Sequence, residues 1–149
     1  MVTKAIPEGF HTVTPSIIVD GAAEAIALYA KAFGAKEDYR VPGPEGKVMH
    51  ACITVGNSKV FLADASPKSD CMTATKSSFY LYVPDVDATF AQAKKAGLGE
   101  KSAPEDMFWG DRTGTVTDKF GNVWTFATHV RDVSKDEMDQ AMKKMGKAA

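Results

Sequence analysis

The sequence predicts an α+β fold built from two successive copies of a strand–helix–three-strand unit, followed by a C-terminal helix. Three observations predict it: an amphipathic helical stripe follows a β-rich run in each half, three strand-like runs follow each stripe, and the landmarks recur at one spacing. The helix-ending glycines Gly34 and Gly97 lie 97 − 34 = 63 residues apart, and the strand-ending valines Val19 and Val83 lie 83 − 19 = 64 apart. The turn glycines Gly56 and Gly121 are 121 − 56 = 65 apart. Ordered landmarks agreeing within two residues indicate an internal duplication.

The elements follow in order. Thr14 to Val19 is β-rich, and Ala22 to Phe33 places Ile26, Tyr29, Ala30 and Phe33 on one helical face, with Gly34 as the stop. Strands are expected at Glu37 to Val41, Lys47 to Val55 and Ser58 to Ala63. In the second half Ser78 to Val83 is a strand and Val86 to Ala96 a helix with Val86, Phe90 and Ala93 on one face. Strands are then expected at Gly99 to Ala103, Thr113 to Thr117 and Asn122 to His129, with Ala103 to Thr113 irregular. Gly56-Asn57 and Gly121-Asn122 read as short hairpin turns, since both residue types tolerate positive φ. The polar stretch 65–77 reads as a crossover loop, because a single half could not bury enough apolar surface alone. One domain over 1–149 is expected, with modules at about 11–64 and 78–130.

Ser134 and Glu137 form a capping-box pattern ahead of Met138, Ala141, Met142 and Met145, which predicts a helix over about 134–146. Its methionine face is expected to cover the domain's own sheet, with a subunit contact as the alternative.

Bulk properties exclude several classes. Net charge is −1 and the basic residues are dispersed, which gives no footprint for nucleic acid or an anionic membrane. No apolar stretch reaches the roughly 18 residues of a transmembrane helix. The N-terminal residues lack the apolar segment of a secretory signal. Cys52 and Cys71 do not make a disulfide framework, which suits a reducing compartment, so a cytoplasmic location is expected. No phosphate-cradling loop or nucleophile elbow appears, and the adjacent acids Glu105 and Asp106 read as solvated.

The run from Asp20 to Ala35 (DGAAEAIALYAKAFGA) resembles the first-helix signature of PhnB-like proteins, a branch of the glyoxalase/bleomycin-resistance/dioxygenase (vicinal oxygen chelate) superfamily. Trp109-Gly110-Asp111-Arg112 and the run Thr117 to Trp124 are similar to that branch's second signature, and Ala127 to His129 with Asp132 to Met138 extend the likeness. The resemblance implies a half-open barrel around a cavity and, in many members, a homodimer that completes it. In metal-using members it implies His, Gln or Glu ligands on the first and last strands of each module.

The landmarks place those ligand positions at Thr14, Val60, Ser78 and Thr125. None is a His, Glu, Asp or Cys, and neutral hydroxyls are poor ligands for zinc-like ions. No metal and no cofactor are therefore expected. Alternation turns His11 away from Thr14, leaves His129 able to line the cavity mouth, and puts His50 and Cys52 on one strand face. Thr14, Ser16 and Ile18 are expected on the cavity face with Val123, Thr125 and Ala127, and Trp124 and Phe126 beneath the helices. In the resembling branch the loop at Trp109 edges the cavity, so Trp109 could stack on a planar ligand and Arg112 could meet an anion. Alternatively Trp109 plugs the barrel end and Arg112 pairs with Asp111 or Asp118. Tyr80, Met107 and Phe108 are further lining candidates. The function expected is metal-independent binding of a small organic molecule, with sequestration of a toxic compound or antibiotic as its purpose. The alternatives are a lyase, isomerase or dioxygenase with an unorthodox metal set such as His50 and His129, and a non-catalytic dimeric interaction protein.

Overall fold

The computed structural model describes residues 2–148. The first unit comprises β1 (Ser16–Val19), α1 (Ala22–Phe33), β2 (Lys36–Pro42), β3 (Val48–Val55) and β4 (Ser58–Asp64). The second comprises β5 (Ser78–Tyr82), α2 (Val86–Lys95), β6 (Gly99–Asp106), β7 (Asp111–Thr117) and β8 (Val123–His129), and α3 (Lys135–Ala148) follows. Each unit makes one open four-stranded mixed sheet, in the orders β1-β4-β3-β2 and β5-β8-β7-β6. The first strand of each sheet runs parallel to the last, as expected when a helix makes the crossover. No described helix is long and apolar enough to cross a membrane.

The duplication extends to helix anchoring. Gly21 gives α1 no side-chain cap, and Asp64 at the end of β4 reaches across to accept from the N–H groups of Gly21 (2.8 Å) and Ala22 (2.9 Å), and from Val48 (2.7 Å). Burial alone would raise the Asp64 carboxyl, but these backbone donors hold it below the usual range. At 128 − 64 = 64 residues further on, the Thr128 hydroxyl accepts from Val86 N–H at the start of α2.

The core lies between the helices and the sheet faces that carry Ile17, Val19, Ile53, Leu62, Trp124 and Phe126. Phe33 and Tyr29 of α1 pack on Trp124 of the other unit, with ring centroids 4.7 and 4.8 Å away, and Phe79 stacks on it at 4.5 Å. Large aromatics sit beneath the helices, as alternation predicts. At the base of this contact Asp118 is a buried clamp. It accepts from Tyr29 Oη (2.6 Å), Trp124 Nε1 (3.0 Å), Asn122 Nδ2 (3.3 Å) and the backbone N–H groups of Phe120 and Asn122 (both 2.9 Å). Burial and the Asp118 carboxylate push the Tyr29 phenol far above the usual tyrosine range. Two units are thereby joined into one body.

Several expectations need correcting. The stretch from Ala103 to Thr113 is mostly strand: β6 runs to Asp106 and β7 starts at Asp111, leaving a turn of four residues. Gly121-Asn122 is not a two-residue hairpin, because β7 and β8 are joined through Asp118–Asn122 with Thr117 opposite Val123. Gly56-Asn57 does make the tight turn, with Val55 opposite Ser58. The helix α3 starts with the expected capping box, Ser134 N–H donating to Glu137 (2.9 Å) and Glu137 N–H to Ser134 Oγ (3.2 Å). Its methionine face does not cover the sheets: Met142 and Met145 are 56% and 51% exposed.

Candidate functional site

Each sheet turns one face to a helix and leaves the other open. On the second sheet, strand pairing sets Tyr80 opposite Thr125, Thr125 opposite Thr115, Tyr82 opposite Ala127, Ala127 opposite Thr113, and His129 opposite Asp111. Alternation therefore gathers Ser78, Tyr80, Tyr82, Thr125, His129, Asp111, Thr113 and Thr115 on the open face. Tyr80 and Tyr82 are 46% and 67% exposed, while Asp111 between them is 3% exposed.

Asp111 organises this face. One carboxylate oxygen accepts from the hydroxyls of Tyr80 (2.8 Å) and Tyr82 (2.9 Å), and the other faces His129 Nδ1 at 2.8 Å. His129 Nε2 lies 3.0 Å from Asp132, and Trp109 Nε1 donates to the Tyr80 oxygen at 3.4 Å. Burial would raise the Asp111 carboxyl, but the bonds from His129, Tyr80 and Tyr82 outweigh it and hold the group below the usual carboxylate range. Burial and the Asp111 carboxylate push the Tyr80 phenol up to about 12, against an opposing pull from the Trp109 N–H. The hydrogen bond to Asp111 also raises Tyr82. His129 is raised by its bonds to Asp132 and Asp111.

The turn that presents Trp109 is fixed by backbone bonding. Gly110 has φ +100°, its carbonyl accepts from Val130 (2.9 Å) and Arg131 (3.2 Å), and a Cβ there would stand 2.1 Å from the Arg131 oxygen. Only glycine fits this approach.

The predicted site residues divide. Tyr80, Ser78, Thr125 and Trp109 share the open face of the second sheet or its edge. Thr14 and Ser16 belong to the first unit, and Ser16 pairs with Phe61 on the first sheet's own open face. Val60 lies on the opposite, helix-facing side and lines a cleft of about 560 Å³ along the edge strand β5, with Pro15, Phe33, Phe79, Tyr80, Tyr82 and Trp124. Ser16 opposite Phe61 matches Tyr80 opposite Thr125 at a constant offset of 64, so Phe61 and not Val60 corresponds to Thr125. A slip of one reverses the face of a strand residue.

Arg112 is also corrected. It alternates away from Asp111 and pairs with Asp87 (2.8 and 2.9 Å) and Asp106 (3.1 Å), and these carboxylates raise its guanidinium. It meets neither Asp111 nor Asp118, and Asp106 is paired as well as solvated.

The residues do not fit a family-type metal. Thr14, Ser78, Thr125 and either Val60 or Phe61 offer no imidazole, carboxylate or thiolate. Among the described residues no group of three or more His, Cys, Asp or Glu side chains is arranged to hold a metal ion. His50 lies on the first sheet against Phe61 and the Tyr39 hydroxyl (3.1 Å), while both nitrogens of His129 are engaged. Cys52 does not pair with His50. Its thiol is buried and faces Asp38, and burial, reinforced by that carboxylate, pushes it up.

A family model described as the glyoxalase/bleomycin resistance protein/dioxygenase superfamily matches residues 9–126. The chain belongs to this superfamily. An uncharacterized protein of Mycobacterium bovis is 43% identical over 141 residues, covering 89% of this chain and 93% of that protein. Among solved structures, a gene product of Arabidopsis thaliana superposes with TM-score 0.65 at 27% identity, covering 79% of this chain and 98% of its own. TioX from Micromonospora gives TM-score 0.64 at 24% identity, covering 79% and 99%. A PhnB protein from Bacillus cereus gives TM-score 0.59 at 16% identity, covering 79% and 99%. The last two show the shared fold alone.

In this superfamily member the geometry gives the residues of the second signature distinct roles. Asp111 of the Trp-Gly-Asp-Arg run organises the open face, Arg112 ties β7 to α2, and Asp118 of the Thr117–Trp124 run clamps the units. Sequence reasoning missed Asp111, Tyr82 and Asp118. The available signal was two tyrosines at i and i+2 on a strand already assigned.

Proposed function

We propose that this superfamily member binds a small organic molecule without a metal ion, using the open face of the second sheet as its floor. The observation that carries this reading is the pair of exposed phenols, Tyr80 and Tyr82, fixed from behind by a buried carboxylate and edged by Trp109. Large aromatic groups held rigidly on an open face contribute contact area at little entropic cost. Ser78 and the Thr115–Thr125 pair (3.0 Å) supply hydroxyls at the other end.

A second copy of the chain completes the cavity. Three apolar surfaces support this: the aromatic open face, Tyr39 and Val41 on the first sheet, and the half-exposed methionines of α3. The family description includes bleomycin resistance, and sequestration of a toxic compound fits a binding face with no metal-ligand set. The free thiols of Cys52 and Cys71 support a reducing, cytoplasmic setting.

Native mass spectrometry of protein purified without added metal or chelator tests the reading. Dimers without stoichiometric metal are expected. One zinc, nickel or iron ion per chain would overturn the metal-free assignment, and monomers at every concentration would overturn the shared cavity.

A further inference from the structure

We infer that the Asp111 end of this open face selects organic cations and other nitrogen donors over neutral or anionic ligands of the same shape. The inference rests on the proposed binding face and names the class of ligand that it takes. The side-chain protons at this end of the face are all committed. The Tyr80 and Tyr82 hydroxyls each have one, and both are committed to the same Asp111 oxygen. The Trp109 N–H is committed to the Tyr80 oxygen, and the two His129 nitrogens face Asp111 and Asp132. Towards a ligand, this end of the face therefore presents phenolic lone pairs and ring faces, with no proton to give. A ligand must bring the donors.

Charge reinforces the count. Asp111 and Asp132 flank His129, and strand pairing of Glu105 with Thr113 sets another carboxylate on this side of β6. Among the described residues, β5 and β8 carry no lysine or arginine. The sole arginine of β7, Arg112, is turned to Asp87 and Asp106 on the other side. Arg131, beyond β8, lies 3.7 Å from Glu137. Two carboxylates, Asp111 and Asp132, against the single imidazole of His129 thus leave net negative charge beside two aromatic rings, an arrangement that attracts a cation over the ring faces. Tyr80 and Tyr82 stand edge to face with centroids 5.4 Å apart, so one ring face and one ring edge are offered together.

The test is equilibrium titration of the full chain near neutral pH with benzylammonium, benzyl alcohol and benzoate, read by tryptophan fluorescence and calorimetry. Benzylammonium is expected to bind about tenfold more tightly than benzyl alcohol, the size of one favourable cation–aromatic contact, with benzoate the weakest. Tyr82→Phe keeps the ring and removes a lone-pair acceptor, so it should narrow that ratio. Asp111→Asn should abolish the ratio; should that variant fail to fold, the exposed Tyr82 position still decides. Equal affinities for the three probes, or benzoate tightest, would overturn the inference and leave the binding face intact. No response to any of the three up to roughly 10 mM would overturn both.

Discussion

Replacing Asp118 by alanine tests how the two units are held together. The substitution removes the acceptor of five hydrogen bonds, three from the side chains of Tyr29, Asn122 and Trp124 and two from backbone N–H groups. Bonds to a charged acceptor contribute roughly 1.5–3 kcal/mol each, and every buried donor left alone costs about 1–3 kcal/mol. The full sum is not reached, because Phe120 is only partly buried and its N–H can turn to water. The buried Tyr29 and Trp124 donors have no such escape, while Asn122 Nδ2 keeps a bond to Tyr29 Oη (3.3 Å). A loss of about 4 kcal/mol is expected, a large share of the roughly 5–15 kcal/mol that stabilises an ordinary domain. Urea unfolding followed by the fluorescence of Trp124 measures it. Tyr29→Phe alone removes one of these donors and should cost about 1.5 kcal/mol. In the double variant one orphaned donor is gone, so the combined loss should fall about 1 kcal/mol short of the sum. Strict additivity, or an Asp118→Ala midpoint equal to wild type, would refute the clamp.

Three further outcomes follow from the geometry. Gly110→Ala would place a Cβ 2.1 Å from the Arg131 oxygen at φ +100°, so it should lower the melting temperature and shift the Trp109 emission, as fluorescence-detected melting would show. Ser134→Ala removes one half of the capping box and should cost α3 about 1 kcal/mol, seen as faster amide exchange in α3 with the sheets unchanged. An NMR titration should find His129 above the ordinary value of 6.5, raised first by Asp132 and then by Asp111, and Asp132→Asn should lower it. With the folded value raised, the stabilisation is fully present below about 6.5 and fades as pH rises through the shifted value.

The duplication, both βαβββ units and the capped C-terminal helix were legible because each rests on local periodicity. The valine-to-valine spacing of 64 gave the true register. The glycine spacing of 65 did not, because Gly56 sits in a two-residue turn and Gly121 in a longer loop built around Asp118. That single residue moved the fourth landmark from Phe61 to Val60 and reversed its face. Ser78, Tyr80 and Thr125 share one face of the second sheet, and Trp109, singled out from the resemblance, lies at its edge against Tyr80. The organising role of Asp111 was not legible, since its tyrosine partners lie 31 and 29 residues away on another strand. The same holds for Arg112 and Asp87, 25 residues apart. Partners of buried charges are set by tertiary packing, which no short window contains.

The chain has two tryptophans, one at the proposed binding face and one buried beneath α1, so its spectrum of indole N–H resonances needs only two peaks. Benzylammonium added to labelled protein in the presence of a chelator should move the Trp109 peak and leave that of Trp124 in place. A Trp109 resonance that stays still, or that responds only once zinc is supplied, would contradict a metal-free ligand site on the second sheet.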